Sequence, residues 1–74
     1  MHDPIVRDPQ VMGGKPCIRG TRVTVGTITG LIAAGHSEAE ILELYPYLER
    51  ADIPAALRYA TWLAESFDAE LQPA

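Results

Sequence analysis

Residues 13–25, GGKPCIRGTRVTV, restrict the fold more than any other stretch of this chain. Gly13, Gly14, Gly20 and Pro16 rule out a stable α-helix here. Glycine costs about 1 kcal/mol and proline about 3 kcal/mol relative to alanine in a helix interior. An ordinary loop, in turn, has no use for Cys17, Ile18, Val23 and Val25. The stretch therefore reads as an irregular ribbon that packs against something, with strand pieces at 16–18 and 22–24 and a break at Gly20. Gly13 and Gly14 make a turn, since glycine reaches positive φ without steric cost. Upstream, residues 5–7 form a further strand, closed by Asp8 and Pro9. Residues 1–24 are thus predicted to form an N-terminal extended β-arm or short β-ribbon.

Helical signals begin at Thr24, a residue suited to an N-cap. Val25, Ile28, Leu31 and Ile32 then share one helical face, and Gly35 stands where a terminating glycine belongs. Gly26 and Gly30 weaken this first helix. The second begins at a capping box, Ser37 with Glu40. It continues through Ile41, Leu42, Leu44 and Tyr45 and is stopped by Pro46. The third and longest starts between Arg50 and Ile53, with Pro54 tolerated in its first turn. Ile53, Ala56, Leu57, Ala60, Leu63, Ala64 and Phe67 make a stripe at helical spacing. Tyr59 and Trp62 fall off the stripe, and the final AELQPA is expected to fray. The predicted fold is mostly α: residues 25–70 are the helical part of one domain whose arm precedes it. Its three helices pack either as a helix-turn-helix or as a generic three-helix unit.

At 74 residues the chain is one domain, and a domain of this size has a small core. Yet 47% of its residues are hydrophobic, with a single cysteine and no paired Cys/His spacing. Apolar surface without disulfide or metal predicts a homodimer. The unpaired cysteine fits a reducing compartment. No apolar run is long enough to span a membrane. The opening MHDPIVRDP has neither the apolar core nor the cleavage pattern of a signal peptide. The expectation is a soluble, cytoplasmic protein.

Charge is distributed unevenly. Residues 1–22 hold Arg7, Lys15, Arg19 and Arg22 against Asp3 and Asp8, a net of +2, whereas residues 23–74 carry a net of -6. The basic end suits an anionic partner and the acidic remainder repels nucleic acid. Among groups that do chemistry, His2 is terminal and His36 lies in a loop. Cys17 reads as a small buried hydrophobe, and Glu38, Glu40 and Glu43 as helix surface. GGKP lacks the full spacing of a phosphate loop. No catalytic, cofactor-binding or metal-ligating constellation emerges, so neither an enzyme nor a small-molecule substrate is expected. Lys15, Arg19 and Arg22 remain the candidate binding residues, joined by Arg50 and Arg58 at the third helix. They either bridge the acidic helices or contact a partner's phosphates or carboxylates.

The segments IVRDPQVMGGKPCIRGTRVTV and LIAAGHSEAEILELYPYLERADIPAALRYA resemble the bacterial and archaeal family catalogued as domain of unknown function 433. The matching pieces are Asp8-Pro9, residues 14–22, 33–37, 41–48 and 56–60, and the likeness spans about residues 3–63. Glu49 and Pro54 depart from the ordinary helix start of relatives. The resemblance implies a homeodomain-like helix-turn-helix with an N-terminal β-arm. It also implies a role as antitoxin of a type II toxin–antitoxin pair: such proteins sequester a PIN-like nuclease encoded beside them and, with it, bind operator DNA. A stand-alone DNA-binding transcriptional regulator is the alternative.

Overall fold

The computed structural model describes residues 4–71, with side chains through residue 66. Strand β1 spans Ile5–Arg7 and β2 spans Pro16–Ile18. Three helices follow: α1 over Val25–Ala33, α2 over Glu38–Leu44 and α3 over Asp52–Leu71. The strands pair antiparallel, with Ile5 opposite Ile18, Val6 opposite Cys17 and Arg7 opposite Pro16. The fold is thus mostly α, three helices beside a two-stranded antiparallel sheet.

The strand piece expected at 22–24 shrinks to a bridge between Cys17 and Thr24. The chain reverses just before it. Gly20 takes φ 79°, the Thr21 amide and hydroxyl both donate to the Ile18 carbonyl, and the Val23 amide donates to the Thr21 hydroxyl. Thr24 then leaves the ribbon because it starts α1. Its hydroxyl accepts from the Thr27 amide at 3.0 Å and meets the Thr27 hydroxyl at 2.8 Å. One residue therefore closes the ribbon and caps the helix.

The helix ends follow their local signals. At the end of α1, Gly35 has φ 97°, and the amides of Gly35 and His36 donate to the carbonyls of Ile32 and Leu31. This is a Schellman closure, which needs a left-handed residue at Gly35. At α2 both halves of the capping box form: the Glu40 amide donates to Ser37 Oγ and the Ser37 amide to Glu40 Oε1. Ahead of α3, the Glu49 amide donates to the Asp52 carboxylate at 2.8 Å. That bond fixes the entry so that Pro54 falls in the first turn, where its missing N–H costs nothing. Of the closing AELQPA, the first three residues belong to α3, which continues through Leu71; residues 72–74 lie outside the described part.

Ile28, Ile41 and Ile53 are fully buried and join the three helices, while Ile5, Ile18 and Val23 bring the ribbon onto them. Along α3 the core lies nearer the start than the stripe predicted. Ile53 and Ala56 are buried and Leu57 is half-buried, but Leu63 is 42% exposed and Ala64 is exposed too. Tyr59, expected off the stripe, packs against the core. The physical reason is length. The 20 residues of α3 extend about 30 Å, beyond the reach of the other elements. Phe67, the last member of the stripe, lies outside the residues whose side chains are described.

Candidate functional site

The ribbon is fastened by its apolar residues. Cys17, Ile18 and Val23 are buried, whereas Lys15, Arg19 and Arg22 between and beside them are exposed. The Cys17 thiol donates to the Lys15 carbonyl at 3.3 Å and is 1% exposed, the environment of a packing residue and not of a nucleophile. The Arg19 amide donates to the Pro4 carbonyl at 2.6 Å, which ties the turn to the start of β1.

The three cations do not converge on one hollow. Arg22 borders a depression of about 380 Å³ with Val6, Asp8 and Val11. Arg19 borders one of about 320 Å³ with Tyr47, Glu49 and Asp52. Lys15 stands at the edge of a third, about 900 Å³, between the start of α1 and the middle of α3. Two of the three therefore have carboxylates beside them, and the two acids near Arg19 come from the entry to α3. The hollow beside Lys15 has no carboxylate among its described lining residues. Arg50 and Arg58 are exposed at and near the start of α3. Their neighbours in sequence include Glu49 and Asp52, which keep that end from being strongly basic.

A contact not singled out in the sequence ties the ribbon to α3. The Arg7 guanidinium stacks over the Tyr59 ring at 5.8 Å from its centroid, within the range of a cation–π attraction. Tyr59 in turn lies 5.7 Å from the Trp62 ring. Only the excess of cations in residues 1–22 pointed toward Arg7; nothing in local spacing pointed to Tyr59.

The histidine that the structure describes, His36, stands 3.6 Å from Glu40. The hydrogen bond from the Ser37 amide holds the Glu40 carboxyl below its ordinary value, with His36 a lesser cause. Both belong to the start of α2. His2 lies outside the described residues. Among those described, no group of three or more His, Cys, Asp or Glu side chains is placed to hold a metal. No helix among them is long and apolar enough to cross a membrane.

The sequence profile described as "Protein of unknown function (DUF433)" matches residues 5–60, from β1 to the point where α3 leaves the core. The chain belongs to the DUF433 family. It is 41% identical over 56 residues to the "Uncharacterized protein y4eO" of Sinorhizobium fredii, a match that takes in 76% of this chain. The chain spans about a quarter (25%) of the length of that relative. Its fold is similar to the crystal structure of a DUF433 member from Anabaena variabilis, with a TM-score of 0.81 and 36% identity over 93% of this chain and 68% of that one.

Proposed function

We propose that this DUF433 chain acts as an antitoxin-type inhibitor that binds and neutralises a PIN-like nuclease through its ribbon. The observation that carries the reading is the division of labour in residues 15–23: buried Cys17, Ile18 and Val23 hold the backbone, and exposed Arg19 and Arg22 face outward. A nuclease of that class binds divalent metal through clustered carboxylates. An arginine fork can pair with such carboxylates bidentately and take the place of the metal. The acids near Arg19 and Arg22 do not forbid this, because exposed ion pairs are worth about 0–1 kcal/mol and exchange readily.

The homeodomain-like helix-turn-helix belongs to the same proposal, with α2 and α3 as its helix pair. Operator binding is assigned to the complex with the nuclease. After Arg58, α3 holds Glu65, Asp68 and Glu70 and no base, and a recognition helix needs donors for base edges and phosphates. For the same reason the stand-alone regulator is the weaker reading.

The test uses a PIN-like nuclease that co-purifies with the chain from its native cell, assayed on RNA. Arg19→Ala combined with Arg22→Ala, with helix content verified by circular dichroism, should weaken inhibition at least about tenfold, in line with the loss of charge-assisted bonds. A folded double variant that inhibits as well as the parent refutes the assignment.

A further inference from the structure

The hollow beside Lys15 adjoins the exposed side chains of α3 at Leu63 and Ala64, and no described residue covers it. The hollow is walled by Val25 and Gly26 of α1 and by Ala60, Leu63 and Ala64 of α3. Leu63 is 42% and Trp62 58% exposed, an apolar ridge next to an apolar groove. We infer that this face is the surface on which a second copy of the chain docks, with the two α3 helices antiparallel across a two-fold axis.

Three observations favour a second copy as the occupant. A face that bears both a groove and a ridge is complementary to itself under a two-fold rotation, in which each ridge enters the other copy's groove. The charges follow the same operation. Lys15 and Arg7 lie at the level of Tyr59 and Leu63, and the turns of α3 beyond them carry Glu65, Asp68 and Glu70 in sequence. Antiparallel helices bring the acidic end of each copy to the basic level of the other. Finally, Ala60 and Ala64 lie one turn apart and permit close approach of two helix backbones. The DUF433 match ends at residue 60, so Trp62, Leu63 and Ala64 lie beyond the shared family core, while Lys15, Val25, Gly26 and Ala60 lie within it.

The inference stands apart from the inhibitor reading and is tested on the purified chain alone. Light scattering at about 100 μM should report twice the 8.1 kDa chain mass. Leu63→Glu should raise the dimer dissociation constant at least about thirty-fold, as expected of an interface centre. Lys15→Glu should raise it roughly tenfold, and added salt should weaken the parent dimer. Leu44→Glu is the control, since Leu44 is 56% exposed on α2 and outside the groove; it should leave the mass unchanged. Helix content of each variant is checked by circular dichroism, which the exposure of these side chains predicts to be unaltered. A monomeric parent overturns the inference, as does a Leu63→Glu dimer of undiminished affinity or dissociation by Leu44→Glu. If the parent is monomeric and Leu63→Glu instead abolishes capture of the nuclease, the groove belongs to the nuclease and the inference falls.

Discussion

Replacing Ile53 by alanine tests where the core meets α3. Ile53 is fully buried in the first turn of the helix and belongs to the cluster with Ile5, Ile28 and Ile41. The substitution removes three carbons, about 2.4 kcal/mol at roughly 0.8 kcal/mol each. It also leaves a cavity, and together the two terms fall in the 2–5 kcal/mol range of such truncations. We take about 4 kcal/mol, because Ile53 sits between ribbon and helices and neither can collapse inward alone. For a domain of this size that corresponds to a melting temperature lowered by about 15–30 °C. Leu57, one turn later and half-buried, should lose about half as much on conversion to alanine. Glu43, exposed on α2, should stay within about 0.5 kcal/mol. The assay is urea unfolding followed by circular dichroism at one fixed chain concentration, so that any dimer contributes equally to all variants. If Leu57→Ala is as damaging as Ile53→Ala, the core extends further along α3 than the burial pattern says, and the reasoning fails.

Ser37→Ala should cost about 1 kcal/mol, since it removes the hydroxyl that accepts from the Glu40 amide. The Glu40 carboxyl is held below its ordinary value, so its contribution is present above that value and disappears as pH falls through the lowered one. Acid titration of helix content should therefore show a loss as pH falls below the ordinary glutamate range that is absent in Glu40→Gln; a parent and variant with the same acid profile refute this. Met12 has φ 50°, the left-handed region that side chains disfavour. Met12→Asn should raise stability by about 0.5–1 kcal/mol, because asparagine tolerates that conformation, and a lower unfolding midpoint would show that the Met12 side chain contributes packing that its 45% exposure does not suggest.

The parts of the fold legible in the sequence are those written within a few residues. The capping box at Ser37, the Thr24 cap and the strands on either side of the Gly13 turn each depend on a partner within a few positions or on one backbone angle. The end of the core along α3 was not legible. Helical periodicity continues past Ala60, but whether a stripe is covered depends on the lengths of the elements opposite, which spacing does not encode. Tyr59 shows the same limit: it packs against the core and beneath Arg7, some fifty residues away in sequence. The candidate cations were legible as an exposed set but not as separate sites. The turn at Gly20 lies between Arg19 and Arg22, and the two border different hollows.

On the proposed readings, this separation gives the basic end of the chain two surfaces with different work. Lys15 borders a hollow with no carboxylate among its described lining residues, where a single cation can orient a symmetric partner but cannot by itself bind a multivalent anion. Arg19 and Arg22 lie on either side of a tight turn beside the acids Asp8, Glu49 and Asp52. A partner that displaces those acids must offer several carboxylates or phosphates at once, and this requirement selects against weakly charged surfaces. The two surfaces should therefore separate genetically. Lys15→Glu is expected to shift self-association while changing the chain's intrinsic affinity for the nuclease less than about threefold, and Arg19→Ala with Arg22→Ala should do the reverse, because distant substitutions without shared partners act independently. Nuclease titrations at chain concentrations above and below the dimer dissociation constant distinguish the effects. Equal loss of both activities in either variant would mean that Lys15, Arg19 and Arg22 form one binding surface after all, and that the three hollows merge when the partner binds.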